Sequence, residues 1–281
     1  MKLSITVILF FFSASVFSCG QSLQDKEILF GSDVLIKEKI KMLDGKRIGV
    51  VSNKNSVMRN GVHLIDTLLS LGINVNAIYS LEHGFKQEFA DGVIINIPSK
   101  DFKKIPVHSL YGETKKPTVE MLEDVDLILF DIQDVGARFY TYISSMFYIL
   151  QAAAENNINV VILDRPNPLG GERVEGPVLI DDYKSFIGIA PIPILHGMTI
   201  GELAILFTSE NYIASSSPEV EIINMKGWKR KNYWDDLNLT WLPTSPNIPS
   251  FETALVYPGT CLLEGTNISE GRGTENPFLT I

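Results

Sequence analysis

The stretch DLILFDIQDVGARFYTY, residues 126–142, is the part of the sequence that decides the fold. It begins with a nearly continuous apolar run, which is typical of a strand buried on both faces of a sheet. Two acids, an amide, an arginine and three aromatic residues then follow almost without interruption. A simple connection from a strand to a helix needs only a few turn residues. The density of polar and aromatic side chains therefore predicts a functional loop at the end of a strand.

The same order, a strand followed by a helix, recurs along the first two thirds of the chain. Apolar runs predict strands at 46–53, 74–84, 126–134 and 159–168. Helical apolar spacing predicts helices at 61–72, 118–125 and 141–157, the second with Thr118 as its N-cap. This alternation predicts an α/β fold, a parallel sheet with helices on both faces. A helix at 199–211, where Thr199 and Glu202 have capping-box spacing, and a strand at 219–228 are predicted beyond it.

Polar clusters lie at the carboxyl ends of all four strands. These clusters are Ser52-Asn53, Glu82-His83-Gly84, Asp131 with Gln133 and Asp134, and Asp164-Arg165 with Asn167. In open parallel sheets, ligands bind outside these ends. Four such clusters in register predict one common crevice. The alternative is turn and capping chemistry, which favours Asp, Asn and Ser at the same positions.

Composition and motifs exclude several classes of function. The net charge is −9, and no cluster of lysine and arginine is long enough to follow a phosphate backbone, so we expect no nucleic-acid partner. Neither a G-x-G-x-x-G fingerprint nor a phosphate loop follows a strand, so we expect no nucleotide. The four histidines lack metal-ligand spacing, and no G-x-S-x-G elbow is present. We expect neither a metal nor a cofactor.

The N-terminus predicts export. Residues 1–18 have the charge near the start and the apolar run of a lipoprotein signal peptide, and the run is short for a membrane span. Ser18 before Cys19 resembles a lipobox, which predicts lipidation of Cys19, a tether and lead-in at 19–45, and a membrane-anchored lipoprotein that faces the periplasm. The alternative is an ordinary signal peptide with an incidental cysteine. Cys261 is the other cysteine of the sequence, so a disulfide framework is excluded.

Carboxylates, arginines and aromatics remain, and these are the side chains that proteins use to handle sugars. Long motifs carry a specific resemblance: LEHGF, HSLYGETKKPT, LFDIQDVGARFYTYIS, LDRPNPLGGERVEGP, PIPILHGMTIGELA and SPNIPSFETALVYPGTCLLEGTNISEGRGT. Over about Ile48 to Phe278 the chain resembles the exo-β-N-acetylmuramidase family, formerly a domain of unknown function.

The resemblance implies a Rossmann-like domain and a smaller C-terminal α/β domain, with the active site in the cleft between them. It implies an exo-acting glycosidase that releases terminal β-N-acetylmuramic acid (MurNAc) from the non-reducing end of peptidoglycan fragments, in cell-wall turnover. We expect the Rossmann-like catalytic domain at 46–185. We expect a helix/strand segment and the start of the C-terminal domain at 186–281, incomplete because the family continues further. The first loop, Ser52 to Ser56, departs from the family pattern.

The glutamate before His-Gly is the family's proposed acid, so the resemblance assigns Glu82 that role. Asp131 or Asp134 could be the second carboxylate, and adjacent strand ends would let these two hold the proton on Glu82. Arg138 or Arg165 could bind the lactyl carboxylate of MurNAc, unless each forms a structural pair with a neighbouring aspartate. The remaining candidates for substrate binding are Asn53, His83, Gln133, Tyr140, Tyr142, Asp164, Asn167, His196, Asn247, Glu264, Asn267, Glu270 and Arg272.

Two other functions stay open on the sequence. One is a non-catalytic, lipid-anchored protein that binds muropeptides or sugars, since binders also use arginines and aromatics. The other is an inactive truncated product. The separation of the carboxylates, which distinguishes a retaining from an inverting mechanism, cannot be read from the sequence. The 2-acetamido group of MurNAc could also act as the nucleophile.

Overall fold

The computed structural model describes residues 27–84, 105–209, 212–213 and 219–281. The predicted signal peptide and Cys19 lie outside these residues. The described strands are β1 Ile48–Ser52, β2 Val75–Ser80, β3 Val107–Ser109, β4 Leu127–Asp131, β5 Asn159–Leu163 and β6 Val220–Ile223. They form one sheet in the order β3-β2-β1-β4-β5-β6, and each neighbouring pair is parallel. The predicted parallel sheet is confirmed, and its order reverses between β1 and β4, as in Rossmann-type sheets.

Helices connect the strands. The α-helices are α1 Gly31–Val34, α2 Leu64–Ser70, α3 Val119–Leu122, α4 Tyr142–Glu155, α5 Ile200–Ser209 and α6 Phe251–Thr260. A π-helical turn spans Leu35–Lys39, and 3-10 turns span Ile40–Leu43, Asp181–Tyr183, Trp234–Leu237 and Cys261–Gly265. Two predicted caps are confirmed. Thr118 accepts a hydrogen bond from the Met121 amide at 3.4 Å, and Thr199 and Glu202 exchange side-chain-to-amide hydrogen bonds at 3.0 and 3.3 Å. Among the described residues, no helix combines the length and apolarity needed to cross a membrane.

The core has two layers because successive residues of a strand point to opposite faces. On one face, Phe130 of β4 packs with Met146 of α4 and Leu203 of α5. On the other, Leu129 packs with Leu64 of α2 and Leu35 of the π-helical turn. Both faces of the sheet are therefore covered, which explains why its strands are continuous apolar runs.

The predicted tether and lead-in at 19–45 is partly folded. From residue 27 onward the chain packs on the sheet: Leu29 and Lys226 form an antiparallel bridge, and Gly31 N donates to Asp164 O at 2.8 Å. A Cβ at Gly31 would lie 2.3 Å from the Asp164 nitrogen, so only glycine allows this approach. Residues 31–43 are helical, with Val34, Leu35 and Leu43 buried. The sequence missed these turns because they are short and of mixed type.

The domain boundary predicted at residue 185 lies between strands β5 and β6, which belong to the same sheet. Strand β6 pairs with β5 along its whole length, and α5 packs against both. The sheet thus extends at least to Ile223. The last described segment, 251–281, contains α6 and the 3-10 turn at Cys261–Gly265.

Candidate active site

The predicted strands end earlier than expected, and in β2 and β4 this places key side chains in loops. Strand β2 ends at Ser80 and β4 at Asp131, so Glu82, Gln133 and Asp134 follow the strands instead of belonging to them. Strands β2, β1, β4 and β5 are consecutive neighbours in the sheet. Their carboxyl ends therefore lie side by side, as the common crevice requires.

A cavity of about 260 Å³ contains Glu82. Six of the predicted site residues line it: Glu82, His83, Tyr140, Asn247, Glu264 and Arg272. Two of them come from the loop after β2, one from the loop before α4, and three from the segment 245–278. The cavity brings together carboxylates, an arginine and aromatic rings, the side chains expected at a site that handles sugars.

Glu82 is held by the residues that open α4. The Thr141 hydroxyl donates a short hydrogen bond to Glu82 Oε2, and Tyr142 Oη lies 3.4 Å from the Glu82 carbonyl oxygen. His83 has a φ of 67°, in the left-handed region that a non-glycine residue seldom adopts. Such strained backbone is found where surrounding contacts fix a functional side chain. Glu82 therefore has a fixed orientation at the cavity wall.

Tyr142 and Asn53, both predicted to contact substrate, instead connect the walls of the site. Asn53 Nδ2 donates to Tyr142 Oη at 3.2 Å, and Tyr142 Oη lies 3.1 Å from the carbonyl of Thr244. Both side chains are fully buried. They fix the end of β1 and the start of α4 against the segment around Thr244.

Arg272 is the described arginine that lines the Glu82 cavity. Its Nη2 lies 2.5 Å from Glu264 Oε1 and its Nε lies 3.0 Å from Glu270 Oε1. Its guanidinium also lies 5.2 Å from the centre of the Phe278 ring. The cluster therefore places one positive and two negative groups beside the cavity.

The two arginines that the sequence favoured for the lactyl carboxylate are occupied by protein groups. Arg165 forms a buried, two-point ion pair with Asp131. Arg138 donates two hydrogen bonds of 2.7 Å to the backbone carbonyls of Pro177 and Ile192, and partial burial lowers the pKa of its guanidinium. Neither residue lines the Glu82 cavity. Arg165 thus forms the structural pair with an aspartate that the sequence analysis gave as the alternative, whereas Arg138 binds two backbone carbonyls instead of an aspartate.

Asp131 and Asp134 do not hydrogen-bond Glu82 among the described residues. Asp134 accepts from the Gly136 amide at 2.7 Å, and its Oδ2 lies 4.0 Å from His196 Nε2. Burial raises the pKa of Asp134 to about 7 and lowers the pKa of His196 to about 4. Asp134 and His196 therefore favour their neutral forms near pH 6. The expectation that Asp131 and Asp134 keep Glu82 protonated stays a prediction.

The remaining candidates have structural contacts or lie elsewhere. Asp164 accepts from Thr199 Oγ1 and from the Gly201 amide, which caps α5, and burial raises the pKa of Asp164 to about 6. Asn167 bridges the Leu169 amide and the Met198 carbonyl. Asn267 is exposed and does not line the Glu82 cavity, and Gln133 lines a different cavity from Glu82.

Sequence reasoning missed several residues of the cavity. Thr141 stands within the opening stretch but was not selected, although it contacts Glu82 directly. Ser245, Tyr257 and Phe278 line the cavity from the last part of the chain. Tyr257 lies on α6, which was not predicted because its sequence contains Pro258. Among the described residues, no group of three or more His, Cys, Asp or Glu side chains could hold a metal ion.

The fold and this cavity define an α/β protein of the Rossmann-like class with a carboxylate site at the carboxyl ends of its strands. A family model described as "Exo-beta-N-acetylmuramidase NamZ, N-terminal" matches residues 48–252, and one described as "Exo-beta-N-acetylmuramidase NamZ, C-terminal" matches residues 255–281. The chain belongs to the exo-β-N-acetylmuramidase NamZ family, which confirms the resemblance found in the sequence.

Individual relatives agree with this assignment. The peptidoglycan beta-N-acetylmuramidase NamZ of Bacillus subtilis (strain 168) is 47% identical over 267 residues, which is 95% of this chain and 64% of that protein. Two crystal structures of DUF1343 family proteins from Bacteroides fragilis are similar to 90% of this chain, with TM-scores of 0.83 and 0.77 and identities of 41% and 39%. The match covers 64% and 66% of those chains, so this chain spans just under two thirds of the length of these relatives.

Proposed function

We propose that the protein is an exo-acting glycoside hydrolase that releases terminal MurNAc from the non-reducing end of peptidoglycan fragments. One observation carries the proposal: Glu82, oriented by Thr141, lines a cavity that also contains Arg272, Glu264 and Tyr140. The named activity of the Bacillus subtilis relative supports the choice of substrate. Peptidoglycan fragments that carry MurNAc are the corresponding partners.

In this proposal Glu82 is the general acid. It donates its proton to the glycosidic oxygen as the bond to the anomeric carbon breaks, and the sugar ring acquires oxocarbenium character. The Thr141 hydrogen bond to Oε2 fixes the carboxyl group, which leaves Oε1 for the leaving oxygen. A positioned acid or base contributes about 10²–10⁴-fold to the rate. Water or the 2-acetamido group of the substrate attacks the opposite side of the ring.

Arg272 replaces Arg138 and Arg165 as the candidate partner of the lactyl carboxylate. Guanidinium groups bind carboxylates with two parallel hydrogen bonds, and Arg272 lines the cavity. Its ion pairs with Glu264 and Glu270 are partly exposed, in contrast to the buried pair of Arg165, so a substrate carboxylate can compete for the guanidinium. The same glutamates are the candidates for the second carboxylate.

The test is hydrolysis of the disaccharide MurNAc-GlcNAc, with release of free MurNAc followed by mass spectrometry. Release of MurNAc from this disaccharide, and no cleavage of a GlcNAc-GlcNAc control, supports the proposal. Binding of the disaccharide without release would favour the non-catalytic sugar-binding protein instead.

We also propose that the protein is exported and anchored to a membrane through lipidated Cys19, facing the periplasm. The apolar run that ends at Ser18-Cys19 supports this. Labelling of cells with a fatty-acid analogue should mark the wild type and leave Cys19→Ala unlabelled. Equal labelling of both proteins would contradict the anchor.

A further inference from the structure

Two short segments of the surface are rich in cations although the chain as a whole is acidic. The net charge is −9, with 24 lysines and arginines against 33 aspartates and glutamates. Seven of the 24 cations lie in the segments 37–41 and 226–231, which contain one acid between them, Glu38. All seven of these cationic residues are exposed. We call the two segments together the basic patch.

Ion pairs and a backbone bridge join the two segments into one surface. Lys226 pairs with Glu38, so the loop after β6 lies against the first helical turns. Lys39 of the same turns pairs with Glu221 of β6 at 2.5 Å. Lys226 and Leu29 form an antiparallel bridge with two backbone hydrogen bonds of 2.9 Å. The segment at which the described chain begins therefore runs beside the basic patch.

Four of the seven cations have no ion-pair partner among the described residues, namely Lys37, Lys41, Lys229 and Lys231. Arg230, in contrast, pairs with Glu202. The loop that carries Lys229 and Lys231 is a defined turn, because Lys229 and Asn232 exchange hydrogen bonds of 3.1 and 2.9 Å. Its ammonium groups are therefore held at the surface and are available to an external anion.

The position of the patch relative to the proposed lipid anchor indicates which anion binds it. Glu27, the first described residue, is eight residues after Cys19. An extended chain covers at most about 3.6 Å per residue, so a lipid on Cys19 keeps the membrane within about 29 Å of Glu27. Leu29, two residues further on, is already bridged to the patch at Lys226. The basic patch thus lies next to the point at which the tether leaves the fold.

An anchor on a short tether limits the distance of the protein from the membrane but does not fix its orientation. Anionic phospholipids attract lysine and arginine side chains near the surface, and each such side chain strengthens binding about fivefold. Trp228, which is partly exposed in the same loop, is of a residue type enriched at membrane interfaces. A bilayer with anionic headgroups therefore matches both the charge and the position of the patch.

We propose that the basic patch binds the anionic headgroups of the membrane, so that the anchored protein lies on the bilayer in one orientation. The choice of a membrane as the partner rests on the proposed anchor at Cys19. Another polyanion, such as a nucleic acid, is the competing partner, and the test separates the two. The patch does not include any residue that lines the Glu82 cavity, so the proposal is independent of glycosidase activity.

The test is co-sedimentation of the chain 20–281 with lipid vesicles. This chain lacks the predicted signal peptide and the lipidated cysteine but retains every described residue, so any binding comes from the folded surface. One set of vesicles is phosphatidylcholine alone, and the other contains phosphatidylcholine and phosphatidylglycerol in equal amounts. We expect binding to the anionic vesicles at low ionic strength, release by added salt because of screening, and little binding to the neutral vesicles.

The double variant Lys229→Gln/Lys231→Gln should weaken binding to the anionic vesicles at least about tenfold, because it removes two of the unpaired cations. The matched control is Lys116→Gln/Lys184→Gln, which lowers the net charge equally. Lys116 pairs with Glu155 of α4, on the face of the sheet opposite to the first helical turns, and Lys184 pairs with Asp181. The control should bind within about twofold of the unsubstituted chain, and circular dichroism verifies that both variants are folded.

Three results would overturn the proposal: no binding of the unsubstituted chain to the anionic vesicles, equal binding to both kinds of vesicle, or equal weakening by the two double variants. A DNA duplex that is bound at least as tightly as the anionic vesicles would overturn the choice of a membrane. Fatty-acid labelling of Cys19 is measured separately, so a failure of the anchor and a failure of the patch are distinguishable.

Discussion

Arg165 and Asp131 form a two-point ion pair at the carboxyl edge of the sheet. Arg165 Nε lies 2.6 Å from Asp131 Oδ1 and Arg165 Nη2 lies 3.0 Å from Oδ2. Both side chains are buried, at 3% and 0% exposure. The pair joins the end of β4 to the residues that follow β5, and Arg165 also donates to the Val57 carbonyl in the loop after β1. It therefore holds together three loops at the carboxyl ends of the strands.

We expect Arg165→Met to destabilise the fold by about 3–5 kcal/mol, because it leaves the Asp131 carboxylate buried and unpaired. Lys116→Met is the matched control, since Lys116 pairs with Glu155 at 2.7 Å on the surface. That variant should lose less than about 1 kcal/mol. Urea unfolding measures both changes, and equal losses in the two variants would show that the buried pair has no special role.

We expect Glu82→Gln to keep the fold and the affinity for substrate but to lose at least about a hundredfold in kcat on MurNAc-GlcNAc. The amide cannot protonate the leaving oxygen. A nitrophenyl leaving group needs little protonation, so the loss with such a substrate should be much smaller. Hydrolysis of the natural disaccharide at a near wild-type rate would remove Glu82 from this role and turn attention to Glu264 or Glu270.

Thr141→Val should lower kcat about tenfold and leave KM nearly unchanged, because the hydroxyl orients the Glu82 carboxylate without touching the sugar in our proposal. Thr141→Ser keeps the hydroxyl and should restore most of the rate. If valine and serine variants behave alike, the hydrogen bond does not contribute to catalysis.

Asp134→Asn should become more stable relative to the wild type as the pH rises from 5 to about 8. The folded protein keeps the Asp134 proton up to about pH 7, whereas the unfolded chain loses it near its ordinary value of 3.8. The wild type therefore loses stability as the pH rises through this window, and asparagine does not titrate. We expect a difference on the order of 1–3 kcal/mol between the two ends of the range.

Thermal and urea denaturation at both pH values measure this effect. His196 contributes the opposite slope, because burial lowers its pKa to about 4, so its stabilisation is present above its ordinary pKa and lost as the pH falls through 4. That contribution is common to both proteins and cancels in the comparison. A constant difference between variant and wild type across the range would show that Asp134 does not titrate in it.

The sequence predicted most of the sheet because its central strands are buried on both faces and read as apolar runs. Strand β3 was not predicted. It has only three residues, it is the strand at one edge of the sheet, and its residues are only half buried. Helix α6 was missed because Pro258 in its last turn has the appearance of a loop residue. Periodicity detects an element only when one of its faces is clearly apolar over several residues.

The sequence predicted where the candidate site lies better than it predicted which side chains line it. Glu82, His83 and Arg272 do line one cavity, but Arg165 and Asn53 have structural partners. The sequence does not distinguish an arginine that pairs with a buried aspartate from an arginine that binds a ligand. Only the distances between side chains from remote parts of the chain distinguish them, and Thr141 was overlooked for the same reason.

The bridge between Leu29 and Lys226 has a consequence for how the chain folds. Nearby, Lys226 also pairs with Glu38, 188 positions away along the chain. The first helical turns therefore cannot reach their final place until the sixth strand is in position. Contacts between such distant residues slow folding, because a long loop must close before they form. We expect the N-terminal segment to dock last, so that the β5–β6 end of the sheet is completed in one late step.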